Sequence, residues 1–503
     1  MELTLRIRTG DTAGSPAWTV LNQSRNEQCT GQCNAQAVQI VWHDTPEGLL
    51  ASRGLTVTEE NGKWRLERFR PAKHETWPPG THHRIMEEAD AQDAIGHEAD
   101  GPLIGRAVFA GQRMRFVLTM DDKQVKLTLL HGILHNGGPG GPEEHSETQP
   151  VARITLDGPS ATVLTLASAL AEAIALSVPL HGLTAEALRL ATGFKPGLPH
   201  LADKLPSIEG LPVNVAFAHI MGHLTNNILA LAPVVADPAS GPEAVHQMRV
   251  AVRRARSALS LFPREAPREA PREAKELPSE QASPRTHATD GLKKLGRALG
   301  PARDLDVFMT ETAPPVAAAF PGDLGLTALL LAGEERRHEA RNALAAWVLG
   351  PEFQRLGLAL TCLANVEPGD SGSLSLTEAA AGQLRSHWKK LRRAAKSLDK
   401  LDSPGLHKVR LRAKRLRYAA EFFAPLFPGK PASRFIRRLT VLQTRLGVFN
   451  DAAVVDSLLR DLDPRPNHAA GLILGFTAAR GQDIRPKIAT AWARLRGRSA
   501  FWI

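Results

Sequence analysis

Residues 245–259 read VHQMRVAVRRARSAL, and residues 406–420 read LHKVRLRAKRLRYAA. Both follow one pattern: His, two residues, Arg, three residues, Arg or Lys, then Arg, one residue and Arg. A second element follows each copy in the same order, LGPARDLDVF from Leu299 and LGVFNDAAVV from Leu446. Such self-similarity indicates one helical unit used twice, and hence a pseudo-two-fold architecture. From His246 to Gly300 is 54 positions and from His407 to Gly447 is 40. The difference is accommodated by PREAPREAPREAKELPSEQASPR (263–285). Pro at every fourth position and low hydrophobicity predict a disordered or extended insertion there, over 263–286.

At about 100° per residue, His246, Arg249, Arg253 and Arg256 fall in one stripe about 80° wide. Met248, Val252, Ala255 and Leu259 form the apolar face beside it. In the second copy His407, Arg410, Lys414 and Arg417 repeat the stripe, while Val409, Ala413, Leu416 and Ala420 repeat the core. A basic stripe that borders the core is partly desolvated on folding, and its like charges repel. No acidic partners stand within the stripes, so a bound anion is the expected relief. Arg forks chelate phosphate oxygens, Lys supplies a point charge, and a protonated His donates. Eight such groups along a line suit an extended polyanion. A mononucleotide site is usually a Gly-rich loop before a helix, and neither GxxxxGK(S/T) nor GxGxxG occurs in the chain. Asp304 and Asp451, at matched places, read as partners that orient the stripe arginines, and Arg303 as an added contact. His219 and His223 have a metal-like spacing but no third ligand in view, and read as structural.

Charge is distributed to match. Residues 1–205 carry 19 Lys and Arg against 24 Asp and Glu, whereas residues 206–503 carry 43 against 28. The 503-residue chain is too long for one ordinary core, and its 43% hydrophobic and 23% charged residues are those of a globular protein. One Tyr among few aromatics leaves little for stacking bases, which counts against nucleic-acid binding. Three cysteines, Cys29, Cys33 and Cys362, make no disulfide framework. With no signal architecture at MELTLRIRTG, a cytoplasmic setting is expected. The apolar stretch at 161–180 contains Glu172 and reads as a buried helix, not a membrane span.

Residues 1–157 carry short period-two runs such as LTLRIR (3–8), RFVLTM (115–120) and VKLTLL (125–130), the mark of strands. From about 208 the pattern turns to long Ala-, Leu- and Arg-rich helical segments. The helices expected are about 211–232, 242–262, 287–312, 324–348, 376–399, 404–424, 432–448, 450–461 and 467–497. The boundary is placed at 192–200, dividing a β-rich domain (1–200) from a helical one (201–503).

At these motifs the helical half resembles the CHAD domain, the conserved-histidine α-helical domain, over about 208–500. The resemblance implies two pseudo-symmetric four-helix bundles with a basic channel between them that binds inorganic polyphosphate, and association with polyphosphate granules. The residues that match are His246, Arg249, Arg253, Arg254, Arg256, His407, Arg410, Lys414, Arg415 and Arg417, with Tyr418 also matching. Upstream, WHDTPEGLLASRGLTVTEENGKWRLERF (42–69) is similar to CYTH domains, which implies a β-barrel tunnel hydrolysing triphosphate with Mg²⁺ or Mn²⁺ on acidic residues.

The residues for that chemistry are largely replaced. The family's opening Glu-x-Glu-x-Lys reads Glu2, Thr4, Arg6, and Thr56-Val57-Thr58-Glu59 stands where its basic pair would be. Lys126, His131, Arg153 and Thr155 stand where carboxylates are expected. Glu2 and Asp157 alone are too few for two-metal chemistry. The sequence therefore predicts an α+β protein with a degenerate CYTH-like barrel and a CHAD domain, binding polyphosphate without catalysis and without a cofactor. The alternative is a metal-dependent inorganic triphosphatase whose CHAD domain holds substrate.

Overall fold

The computed structural model describes residues 2–7, 35–68, 82–86, 102–120, 122–138, 146–174, 176–179, 182–192, 205–262, 283–364, 375–462, 468–497 and 500–502. Cys29, Cys33 and the repeats at 263–282 lie outside them. The chain forms two compact units: Met1–Ala202 with Leu277–Ala288 and Gly350–Asn365, and the remainder from Asp203 onward.

The first unit is built on one antiparallel sheet. Its strands are β1 (Glu2–Ile7), β2 (Ala35–Asp44), β3 (Leu55–Glu60), β4 (Lys63–Arg68), β5 (His82–Met86), β6 (Ile104–Met120), β7 (Lys123–Asn136), β8 (Thr148–Asp157) and β9 (Leu176–Ser177), in the order β5-β4-β3-β2-β6-β7-β8-β1-β9. Among the described residues the edge strands β5 and β9 are not paired with each other. Alternation decides its faces. Leu3, Leu5, Ile7, Val125, Leu127, Leu129, Ile154 and Leu156 share one core with helix α2 (Ser160–Ala173). On the opposite face Val38, Ile40, Trp42, Phe109, Leu134 and Val151 pack under Ala187 and Leu188 of helix α3 (Leu183–Thr192). Before them, Asp44 folds the short helix α1 (Leu49–Ser52) by accepting from the Leu50 and Ala51 N–H groups at 2.9 Å.

Where β6 and β7 cross, Gly111 stands directly opposite Gly132. A Cβ at Gly111 would lie 2.7 Å from the Gly132 Cα and would also strike the His131 carbonyl. Both contacts are with backbone, which cannot rotate away. Gly111→Ala is therefore expected to destabilise the first unit by about 3 kcal/mol or more, measured as a lost or strongly lowered thermal transition. An unchanged melt would show that the crossing is looser than described.

The second unit is helical: α4 (Val213–Val235), α5 (Pro242–Leu261), α6 (Pro284–Val307), which starts in the first unit, a π-helical turn (Phe308–Thr312), α7 (Ala313–Ala319), α8 (Leu324–Leu349), α10 (Leu376–Ala394), α11 (Ser403–Phe423), α12 (Pro431–Leu462) and α13 (His468–Arg496). Helix α9 (Pro351–Ala364), between α8 and α10 in sequence, belongs to the first unit. There Leu358 and Cys362 join the core beneath α2. No helix is expected at 351–364 from sequence, because its charged residues lie before Leu356 and every residue from Leu356 to Ala364 except the half-buried Thr361 is buried, leaving too short an alternation to set a period. Burial pushes the Cys362 thiol up to about 12.

Three expectations about this half change. The insertion ends earlier, since Pro284, Arg285 and Thr286 are helical: the Ser283 hydroxyl accepts from the Thr286 N–H at 3.3 Å, and Pro284 takes the first helical position. The segments at 432–448 and 450–461 are one helix, because nothing at Phe449 or Asn450 breaks it. Helix α6 passes into a π turn at Phe308, shifting the helical register by one residue. Helix α4 is long and apolar enough to cross a membrane, and 72% of its apolar window is buried inside the protein.

The repeat is visible in the packing. With an offset of 161 residues, α5 superposes on α11 in sequence, and the two helices touch. Phe262 and Phe423, equivalent under that offset, meet with ring centroids 5.6 Å apart. Contact between equivalent residues is what an approximate two-fold requires. The predicted core positions Met248, Val252, Ala255, Leu259, Val409, Ala413, Leu416 and Ala420 are all buried.

Candidate anion-binding cavity

Amphipathic phasing turns the basic stripes of α5 and α11 inward. Arg249 and Arg253 from α5, and their equivalents Arg410 and Lys414 from α11, line one cavity of about 300 Å³. Helix α6 adds Arg303, Asp304 and Val307, the π turn adds Phe308 and Thr312, and α12 adds Val454, Val455 and Leu458. The lining thus combines five cationic side chains with a set of apolar ones. The Arg249 guanidinium approaches the Gly296 carbonyl at 3.5 Å.

The charges are held under strain. Burial pushes the Lys414 ammonium down to about 8, helped by Arg410, Arg253, Arg249 and Arg417. Burial likewise lowers Arg249, with Asp304 opposing and Arg253 and Arg303 reinforcing. Asp304 is raised by burial, against the pull of Arg249 and Arg303. His246 is lowered by burial and, secondarily, by Arg303. An anion in the cavity would offset the penalties on Lys414 and Arg249, since these arise from confining cations away from water.

The remaining matched residues sit elsewhere. Arg254 and Arg417 converge on Glu421, at 3.8 and 3.2 Å, so the stripe that reads as lacking acids has one, a turn along α11 and specific to the second copy. Its equivalent in the first copy is Ser260. Tyr418 is buried, with the Arg417 guanidinium 5.5 Å from its ring centroid. Arg256, Arg415 and His407 are exposed and do not line the cavity. Arg415, with Lys390 and Arg412, instead faces His387, which burial and these cations push down to about 4. Arg303 lies within ion-pair reach of Glu311 at 3.5 Å. The Asp451 side chain is outside the described set. His223 Nε2 accepts from the Asn227 side-chain amide at 3.2 Å, and among the described residues no group of three His, Cys, Asp or Glu side chains gathers to hold a metal.

Two features have no motif to announce them. The apolar lining is indistinguishable in sequence from ordinary core. Asp306, completely buried, accepts from both Arg337 and Arg341 at 2.9 Å, and Arg341 also donates to the Pro238 carbonyl at 3.3 Å and to that of Ser240. This bridge ties α6 to α8 directly behind the cavity.

In the first unit the register sets Glu2 beside Asp157, and Asp157 beside Lys126. Thr4 and Thr155 hydrogen-bond at 3.1 Å through their hydroxyls. Arg6 and Arg153 are also cross-strand partners, and Glu186 of α3 neutralises both, at 3.8 and 2.8 Å. His131 pairs with Ala152, a register that turns it to the opposite face from Lys126, Arg153 and Thr155. On that sheet face an internal carboxylate therefore occupies the arginine pair.

Among solved structures, the chain is similar to the CHAD domain from the plant Ricinus communis (27% identity, TM-score 0.48, covering 60% of this chain and 98% of that one). It is also similar to PptA from Streptomyces chartreusis (15%, 0.41, 56% and 99%) and to HpAC1 from Hippeastrum, a protein with a dominant triphosphatase activity (14%, 0.25, 40% and 98%). No curated protein matches the chain. The CHAD family model matches residues 219–460, a span that contains every residue lining the cavity. The helical half of this chain thus carries a CHAD domain, with the cavity between its two repeats inside it.

Proposed function

We propose that this protein binds inorganic polyphosphate in the CHAD cavity and that its first unit does not hydrolyse it. The observation that carries the reading is the convergence of Arg249, Arg253, Arg410 and Lys414, two pairs related by the repeat, on a single cavity. The lowered ionisation of Arg249 and of Lys414 supports a site completed by an anion, because confining cations away from water is costly. The absence of catalysis is supported by Lys126 beside Asp157 and by Thr4, Thr155 and Arg153 where metal-holding carboxylates would be needed. We place the protein in the cytoplasm, on polyphosphate granules where these form.

Titration with polyphosphate of defined length at two salt concentrations, with Mg²⁺ or Mn²⁺ present and free phosphate followed in the same tube, tests both parts. Saturable, salt-weakened binding without phosphate release is the expected result. Phosphate release that Glu2→Ala abolishes would instead favour the triphosphatase reading. Failure to bind would return the stripes to a structural role.

Proton linkage gives an independent check. Free Lys414 is largely neutral above about 8, while a polyanion favours its charged form. Binding at pH 8.5 should therefore take up protons, and affinity should fall as pH rises beyond 8. Calorimetry in two buffers of different ionisation heat measures the uptake, and Lys414→Arg should bind without it.

A further inference from the structure

The lining of the cavity offers more than a purely inorganic ligand can use. Polyphosphate presents only charged oxygens, and these can be satisfied on the wall formed by Arg249, Arg253, Arg303, Arg410 and Lys414. The same lining holds Val307, Phe308, Val454, Val455 and Leu458. Phe308 and Val455 belong to a hydrophobic core with Leu326 and Ile473. Core packing therefore explains them, but it does not explain Val454, which is 39% exposed. An apolar surface facing an anion loses the anion's hydration and offers nothing back.

Asp304 is a second mismatch. It is a hydrogen-bond acceptor in a cavity of donors, and it repels phosphate. It would pair with a ligand that carries donors of its own, such as hydroxyl or amino groups. Asp304, Val307 and Phe308 stand at i, i+3 and i+4 along α6 and its π turn, so the acceptor shares a helix face with apolar lining residues. The volume, about 300 Å³, is that of a small-molecule pocket.

We infer that the cavity accepts a nucleoside polyphosphate, with its phosphates on the arginine wall, its nucleoside on the apolar wall and its hydroxyl or amino donors on Asp304. This rests on the reading of the cavity as a phosphate site and names an organic ligand class for it. Specificity then has two sources. The cations recognise any phosphoanhydride chain, while the apolar wall rewards one that is esterified to a ring system.

The test compares ATP with tripolyphosphate, the same phosphate chain with and without the nucleoside, by calorimetry on the full chain. ATP is expected to bind at least about tenfold tighter. In Val454→Thr and in Leu458→Gln the ratio of the two affinities should fall toward unity. Asp304→Asn should tighten tripolyphosphate while reducing the preference for ATP. Equal or weaker binding of ATP to the unmodified protein overturns the inference, and so does a wall variant that shifts both ligands equally. If Arg249→Ala with Arg410→Ala leaves both ligands and long polyphosphate unaffected, the cavity itself is not the phosphate site. If those substitutions abolish binding but ATP has no advantage, only the nucleoside assignment fails. Circular dichroism and melting of each variant separate lost folding from lost affinity, and the wild-type comparison needs no variant at all.

Discussion

Replacing Arg249, Arg253, Arg410 and Lys414 together with Ala should abolish polyphosphate binding at physiological salt while leaving helix content unchanged. Each of the four offers a charge-assisted contact worth about 1.5–3 kcal/mol, so their joint loss weakens binding by more than about 10⁴-fold. The salt dependence should flatten with it, because fewer counterions are displaced. Circular dichroism alongside equilibrium titration measures both. Retained affinity in a folded variant would remove the cavity from the function.

The same geometry makes a prediction about stability with the opposite sign. Lys414 has a folded-state value of about 8, below the ordinary lysine value of 10.5. Below about pH 8 the folded protein therefore carries the full cost of a confined ammonium, and this cost fades as pH rises toward 10.5. Lys414→Met should accordingly raise the melting temperature at pH 7, and the gain should shrink at pH 10. A residue kept for folding would behave the other way.

Asp306→Ala is expected to be the most damaging single change in the helical unit. The carboxylate is completely buried and holds two arginines of α8, Arg337 and Arg341, of which Arg341 is itself buried. Removing it strands a buried guanidinium and a half-buried one, a loss of about 3–5 kcal/mol. Urea or thermal unfolding measures it, and a loss below about 1 kcal/mol would show that the bridge is not what fixes α6 on α8. Asp306→Leu combined with Arg341→Met should recover part of the stability, because replacing a buried pair is far less costly than breaking one. Asp306 stands two and three residues from Asp304 and Arg303, so partial unfolding at this point should also weaken ligand binding.

Much of this was legible before any coordinates. The repeated stripe identified α5 and α11, their core positions and the cations of the cavity, because an amphipathic helix writes its buried face into a 3.6-residue period. Alternation in β1, β6 and β7 likewise marked the first unit as a sheet. Helix α9 was not legible, since from Leu356 to Cys362 it carries almost no polar side chain and so no period to read. Its partners in α2 also lie nearly two hundred residues away.

The division of labour within the motif was hidden for a related reason. His246 and Arg249 share a stripe with Arg256, and His407 and Arg410 with Arg417, yet only contacts from other helices separate them. Arg249 and Arg410 enter the cavity, Arg417 and Arg254 close on Glu421, and Arg256 and Arg415 face outward. The sequence alone determined that two like-charged helical faces border a core, because that follows from spacing within each segment. Only the tertiary structure decided which charges meet, and that an apolar wall and Asp304 stand with them, because those neighbours come from α6 and α12 and depend on packing across the fold.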